Sequence, residues 1–407
     1  MKITHINTSK NAGGAAIACN RISSALNANA VQSNTLNQES FSAFTQRKIH
    51  TSILLEKLLL LPKQKSKNIR FKISNPQFGI DISSDDSVKD ADILHLHWIN
   101  NGFLSISSLN KLAKLNKPIV WTLHDMWAFT GICHHSRDCN NFENQCGNCF
   151  YLNTNSSTDL SNSIWKQKQL VYKKLNLSIV TCSNWLAQKA RKSSLLKDIS
   201  IQVIPNPIDV YKFKPFPKLD IRSELGLLND TFYLLFVAAN INDERKGIQH
   251  LLKALTILKE RYSEKQVKIE LLVIGNVKSE IKEHLPFRSK FLGYIDSEEL
   301  MIKYYNASNT FITPSLDENL PNTIMEALSC GTPVVAYSTG GIPDMVDHLS
   351  NGYLAEYASP QDLAEGIDWV RKNNEMQISA NARNKVLSNF TYDIVAQKYI
   401  DLYKKLL

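Results

Sequence analysis

The chain has no long apolar run. Its densest stretch, Ile53–Leu61, is broken by Glu56 and Lys57 and falls far short of the roughly 20 residues that span a bilayer. The opening segment Met1-Lys2-Ile3-Thr4-His5-Ile6-Asn7 lacks the apolar core of an export signal and reads as a first β-strand. Internal repeats and low-complexity tracts are also missing, which excludes solenoids and biased linkers. Cysteine is sparse, with 7 in 407 residues. Without an export signal, that number points to a reducing compartment, where thiols bind metal or pack in cores. The protein is therefore expected in the cytoplasm.

What is present is ordinary for a globular protein: 43% hydrophobic and 21% charged residues exclude disordered and fibrous classes. The length suits two or three domains. A net charge of +9 leaves nucleic acid, anionic lipid head groups and phosphate-bearing ligands open as partners.

Short apolar runs alternate with helix-length amphipathic stretches, the pattern of α/β layers around a parallel sheet. Strands are expected at Ile3–Asn7, Ile93–Trp98, Ile119–Leu123, Ile179–Ser183 and Gln202–Ile204, then at Phe232–Ala238, Ile269–Ile274, Thr310–Thr313 and Val334–Tyr337. Four prolines between Ile204 and Leu219 mark a linker, because proline fixes its own φ and disfavours helix in its predecessor.

The segment with most chemistry is Glu318-Asn319-Leu320-Pro321-Asn322-Thr323-Ile324-Met325-Glu326. Pro321 suits the start of a helix, so Glu318 falls in the loop feeding that helix and Glu326 inside it. Carboxylates accept hydrogen bonds from sugar and ribose hydroxyls; an exposed loop Glu and a solvated helical Glu fit the same spacing. A helix end, turn and buried strand follow, Ala327 to Ala336, then Thr339-Gly340-Gly341-Ile342-Pro343-Asp344 and Asn351-Gly352-Tyr353-Leu354. Taken together, this stretch closely resembles the family-4 retaining glycosyltransferases of the GT-B fold, whose hallmark is two Glu separated by seven residues.

The resemblance implies two Rossmann-like domains with parallel sheets facing across a cleft: 1–205 on the acceptor side, with a Cys-rich insertion at about 131–150, and 206–390 holding the nucleotide-sugar. Residues 391–407 would return as a helix to the first domain. It also implies that Glu326 holds ribose hydroxyls, that Glu318 binds the donor sugar, and that the amides of Asn319 and Leu320 lie beside sugar and phosphate. Lys246, opening a helix after strand Phe232–Ala238, matches the pyrophosphate-binding lysine, where a fixed cation stabilises a departing diphosphate. The family's arginine five residues earlier is Ile241 here, and Arg245 is the available substitute.

Gly13 and Gly14 follow the first strand and open a helix. They lack the three spaced glycines of a dinucleotide fingerprint, and by resemblance they become diphosphate or acceptor neighbours. His124 and Asp125 end a strand at the carboxyl edge where open α/β sheets bind ligands, and similar enzymes turn such a histidine toward the donor sugar. His95 and His97 share one face of another strand and read as structural.

Cys133, Cys139, Cys146 and Cys149 fall within 17 residues. They supply enough thiolates for a structural zinc, or are reduced thiols in a loop. Catalysis in such enzymes uses no metal, so no cofactor is required for it. Lys57, Lys63, Lys65, Lys67, Arg70 and Lys72 flank the apolar Leu58–Leu61 run and fit either a solvated face or an anionic membrane surface carrying a lipid-linked acceptor.

The expected activity is transfer of a hexosyl unit from a nucleotide diphosphate-sugar to a glycan or lipid-linked acceptor in cell-surface polysaccharide synthesis, with the enzyme cytoplasmic or peripheral on the membrane's inner face. Two alternatives remain: a zinc-containing nucleic-acid-binding protein, and a catalytically silent glycan-binding relative. Scattered basic residues without interleaved aromatics argue against nucleic acid as a partner.

Overall fold

The computed structural model describes residues 1–407 except 67, 68, 70, 71, 263–266 and 278. Lys67 and Arg70 of the basic stretch thus lie outside the described residues. The chain divides into two compact units, Met1–Pro207 with Tyr392–Leu407, and Ile208–Thr391.

In the first unit, β1 (Lys2–Ile6), β2 (Gln32–Leu36), β3 (Ile93–Leu96), β4 (Pro118–Leu123), β5 (Asn176–Thr181) and β6 (Ile201–Val203) form one sheet in the order β2-β1-β3-β4-β5-β6. Every pairing is parallel. Parallel strands are covered on both faces, so the central ones are mostly apolar: Leu94, Leu96, Ile119 and Val120 are fully buried, with the polar His95 and Thr122 buried among them. The C-terminal helix Tyr392–Leu406 packs Val395, Tyr399 and Tyr403 into a core with Ile3, Ile22, Val120 and Val180.

In the second unit, β7 (Phe232–Asn240), β8 (Ile269–Asn276), β9 (Arg288–Gly293), β10 (Thr310–Thr313), β11 (Val334–Tyr337) and β12 (Gly352–Ala355) are also all parallel, in the order β12-β11-β10-β7-β8-β9. Both units are doubly wound, Rossmann-like α/β layers. The sequence reading did not anticipate β2, β9 or β12, nor the helices Ala43–Leu60, Lys218–Glu224 and Glu375–Asn389.

Strand order reverses between β1 and β3 in the first unit and between β7 and β10 in the second. Open α/β sheets bind ligands beyond the carboxyl ends of strands at such reversals. Lys246 follows β7 and Glu318 follows β10; Gly13 follows β1 and His97 follows β3.

Candidate active site

Two close backbone approaches build the site in the second unit. Gly247, at φ +69°, ends a single turn of 3-10 helix, Glu244–Lys246, and opens the helix Ile248–Arg261. A Cβ there would lie 1.9 Å from the Pro314 carbonyl oxygen, so glycine is what lets the loops after β7 and β10 touch. The Leu316 amide donates to the Arg245 carbonyl at 2.7 Å and locks the two together. On the other side, Gly340 sits at φ +56°, and a Cβ would lie 1.6 Å from the Glu318 carbonyl oxygen. The Gly341 amide donates to the Asn319 carbonyl at 2.7 Å. The loop carrying Glu318 and Asn319 is braced from both sides.

That bracing brings Lys246 and Glu318 together. The Lys246 ammonium is ion-paired with Glu318 Oε1, and Ser315 Oγ donates to the same oxygen at 3.1 Å. Their side chains are 31% and 15% exposed, so the pair stays reachable from solvent. Glu326 lies in the helix Asn322–Ser329, buried, with Oε2 accepting from the Tyr305 hydroxyl at 2.9 Å. Leu320, next to Asn319 in the loop before this helix, is buried.

Arg245 binds Asp243 at two points, with Nη2 2.7 Å from Oδ2 and Nε 3.2 Å from Oδ1. Burial alone would lower its pKa, but hydrogen bonds and charge from Asp243 outweigh burial and raise it. Ile241, where the family's arginine stands, is fully buried. Tyr305, Asp243 and Ser315 carried no signal in the sequence, because their partners are visible only in the fold.

The first unit presents a different edge. Gly13, at φ +89°, caps the helix Gly14–Ala28. Where β1, β3 and β4 lie side by side, His5 of β1, His95 of β3, His97 just after β3 and His124 just after β4 come together. His5 Nδ1 lies 2.9 Å from His97 Nε2, and His97 Nδ1 lies 3.1 Å from His124 Nε2. His124 Nδ1 is 3.6 Å from Cys182 Sγ, whose S–H donates to the Leu123 carbonyl. A neutral imidazole has one donor and one acceptor nitrogen, so this chain runs in one direction: His5 donates to His97, His97 to His124, and His124 to sulfur. Both ring nitrogens of His124 are thereby engaged. Desolvation lowers the pKa of His5 to about 3 and of His124 to about 4, and lowers those of His95 and His97 well below the ordinary value. The rings are neutral at pH 7.

Asp125 is held more tightly still. Its Oδ2 meets His134 Nδ1 at 2.6 Å and Trp98 Nε1 at 3.0 Å, and its Oδ1 accepts from the Trp127 amide at 2.8 Å. Burial would raise its pKa, but His134 and the amide outweigh burial and bring it to about 2. The fully buried Lys168 ammonium braces the same wall, donating to the carbonyls of Trp127 at 2.5 Å and Thr130 at 3.1 Å.

Comparison with known proteins identifies the family. The profile described as Glycosyl transferases group 1 matches residues 218–385, and that described as Glycosyltransferase Family 4 matches residues 59–212. The chain belongs to the family-4 GT-B glycosyltransferases. An uncharacterized glycosyltransferase of Methanocaldococcus jannaschii is 27% identical over 237 residues, 56% of this chain and 59% of that one. The capsular polysaccharide biosynthesis glycosyltransferase CapM of Staphylococcus aureus is 27% identical over 244 residues, 56% of this chain and 62% of its own. The match thus spans about six tenths of these relatives' length. Among solved structures, Anabaena HepE in complex with UDP superposes with TM-score 0.64 at 16% identity, covering 100% of both chains, a likeness of fold.

Within this GT-B chain the four cysteines of the 131–150 region are free thiols. Burial raises the pKa of Cys146 to about 12 and of Cys149 to about 11, and raises that of Cys133 further. Their sulfurs do not converge as a zinc site requires. Among the described residues, the one group of three or more potential ligands with donor atoms within 4.8 Å of one another is His5, His95 and His97. That group does not suit a metal either. His95 and His97 are stacked, with ring centroids 4.3 Å apart, and both His95 nitrogens are taken, by Tyr403 at 2.6 Å and Thr122 at 2.7 Å. Stacked rings direct their lone pairs side by side, whereas a tetrahedral ion needs them to converge.

Proposed function

We propose that this protein transfers a sugar from a nucleotide diphosphate-sugar to a glycan or lipid-linked acceptor in cell-surface polysaccharide synthesis, retaining anomeric configuration and using no metal. The Lys246–Glu318 ion pair at the β7/β10 reversal carries the reading. The pair is a poised exchange of partners. An arriving diphosphate draws Lys246 to its oxygens, and Glu318, released from the ammonium, accepts hydroxyls of the donor sugar. Lys246 then meets charge that grows on the leaving group, which is where a fixed cation accelerates most. Glu326 holds the ribose, and Asn319, Leu320 and Arg245 flank sugar and phosphate. In the first unit, Gly13 and Gly14 neighbour the diphosphate or acceptor, and His124 and Asp125 supply rigid contacts to sugar. A departing phosphate oxygen takes the acceptor proton, so catalysis rests on positioning.

The capsular role of the Staphylococcus aureus relative and the UDP held by Anabaena HepE support the polysaccharide and nucleotide parts of this reading. Unpaired cysteines are consistent with the cytoplasm. No helix among the described residues is long and apolar enough to cross a membrane. The helix Ala43–Leu60 instead turns Leu54, Leu55, Leu58 and Leu59 outward, with Lys63 and Lys65 exposed just beyond it. Exposed leucines beside lysines suit the anionic inner face of a membrane, and we assign this helix to membrane attachment.

The deciding experiment is a thermal-shift panel of nucleotide-sugars, since a bound donor raises the melting temperature by mass action. The best donor is then offered with acceptors, and the new anomeric centre is read by NMR. Stabilisation by one nucleotide-sugar and a product with the donor's configuration are expected. An inverted product removes the retaining mechanism, and a panel without any stabilising nucleotide-sugar removes the function.

A further inference from the structure

The two carboxylates of the second unit's site are held in different ways. Glu318 is paired with Lys246, a charged and part-exposed side chain that an arriving phosphate draws off. Glu326 accepts from the Tyr305 hydroxyl at 2.9 Å, and both residues are buried. A neutral, enclosed hydroxyl gains nothing from a phosphate and has no room to swing, so this bond outlasts the arrival of a ligand.

Tyr305 is fixed at its backbone and at its ring. It stands near the end of the helix Glu298–Ala307. Its carbonyl accepts from the Ser308 amide at 3.2 Å and from Thr332 Oγ1 at 2.7 Å. Its ring lies edge-on to Phe311 of β10, with centroids 6.0 Å apart and planes at 83°. The next residue, Asn306, ties the helix to the segment before it. There Oδ1 accepts from the Phe216 amide at 2.7 Å, and Nδ2 donates to the Lys214 carbonyl at 3.2 Å. The place of the hydroxyl is thus set by the packing of a helix other than the one that carries Glu326. A glutamate side chain is long and rotatable, and a rigid donor on one oxygen fixes the direction of the whole carboxylate.

We propose that Tyr305 is a positioning residue: it aims the Glu326 carboxylate at the ribose hydroxyls and so sets how strongly the site prefers a ribonucleotide. The proposal rests on the proposed function, in which Glu326 holds ribose. A carboxylate accepts hydrogen bonds and donates none, so the ribose supplies the donors. A carboxylate already held in place loses little rotational freedom when they arrive. A purely structural Tyr305 would act otherwise: its loss would lower stability and weaken every nucleotide alike.

Tyr305→Phe keeps the ring against Phe311 and removes only the hydroxyl. UDP, ADP and GDP, and their dideoxy counterparts that lack both ribose hydroxyls, are titrated by calorimetry. The proteins are the full-length parent, Tyr305→Phe, Glu326→Ala and the double variant, each with its melting temperature. The parent should prefer the ribonucleotide. Tyr305→Phe should bind that ribonucleotide about tenfold more weakly and the dideoxy form as the parent does. The double variant should bind no more weakly than Glu326→Ala, because two residues that act through one bond are not additive. At saturating donor, kcat of Tyr305→Phe should stay within about twofold of the parent, since ribose binding is uniform before and during reaction. Tyr305→Phe keeping the parent's full preference, or losing both nucleotide forms equally, overturns the proposal. So does an equal loss from Tyr305→Phe in the Glu326→Ala background. A parent that binds nucleotides without preferring the ribose form removes Glu326 as the ribose holder, and Tyr305 with it. A parent that prefers ribose beside a Tyr305→Phe that prefers it equally removes Tyr305 alone.

Discussion

The two sheets present opposite chemistry at equivalent places. At its reversal the second unit has ions: Lys246 against Glu318, and Arg245 against Asp243, all within reach of solvent. At its own reversal the first unit has three buried histidines and the half-buried His124, all uncharged and in contact with hydroxyls and a thiol. An ionic edge recognises phosphate, because charge in partly excluded water acts strongly on charge. A neutral, prefilled edge recognises shape and hydroxyls. Under the proposed function, this contrast corresponds to a division of labour in which one unit would grip the charged half of a nucleotide-sugar and the other would read neutral sugar.

Acid should break this symmetry most strongly. His5, His95, His97 and His124 are held below their ordinary pKa by burial, so the unfolded chain binds protons that the folded first unit refuses. Their stabilising contribution is complete above about pH 6.5 and is lost as pH falls toward about 4 for His124 and about 3 for His5. Glu56 acts in the opposite sense. Burial raises its pKa to about 7, despite amide bonds from Asn75 and Gly102, so it gains as pH falls. Between pH 6.5 and 5.5 each histidine costs on the order of 1 kcal/mol and Glu56 returns about as much, a net loss of roughly 3 kcal/mol. Calorimetry across that window should show the first unit's transition falling faster than the second's. Parallel movement of both would mean that the histidines are not neutral.

The ionic edge is sharpened by substitution within it. Lys246→Ala should lower kcat about 10²-fold, roughly 2.7 kcal/mol, with little change in melting temperature, because a part-exposed ion pair contributes little to stability. Glu326→Ala should instead raise the donor KM about tenfold, since the ribose it is proposed to hold would be contacted alike before and during reaction. It should also lower the melting temperature, because the Tyr305 hydroxyl loses its buried acceptor. Steady-state kinetics beside thermal melts separates the two. Equal loss of kcat in both variants would dissolve the division between cation and ribose clamp.

The smallest effect lies away from both edges. Lys63→Gln with Lys65→Gln should weaken binding to anionic vesicles by about 1 kcal/mol per charge at low salt. Activity toward a soluble acceptor should hold. Flotation showing equal binding by variant and parent would dismiss the helix Ala43–Leu60 as a membrane contact.

What the sequence made legible follows burial. Thr310–Thr313 and Val334–Tyr337 stand where the apolar runs placed them, because central parallel strands are apolar on both faces. The strands that escaped, β2, β9 and β12, are edge strands of their sheets. Gln32-Ser33-Asn34-Thr35-Leu36 and Arg288-Ser289-Lys290-Phe291-Leu292-Gly293 look polar because one side faces solvent. The helix Ala43–Leu60 escaped for the converse reason: it buries Glu56 and exposes leucines, which blurs the period of 3.6. Within the site, the two glutamates and Lys246 were legible as local motifs, whereas their pairing spans 72 residues.

The backbone contact behind Glu318 bears on engineering. Directed evolution of donor choice would naturally randomise the loops around Glu318 and Lys246, but Gly340 and Gly247 belong to the chassis. A methyl group at either would enter a neighbouring carbonyl oxygen, at 1.6 Å and 1.9 Å respectively, and the loops would have to part. Such variants would lose every donor at once instead of exchanging one for another. Libraries that hold both glycines fixed and vary the side chains between them should yield altered specificity at a much higher frequency.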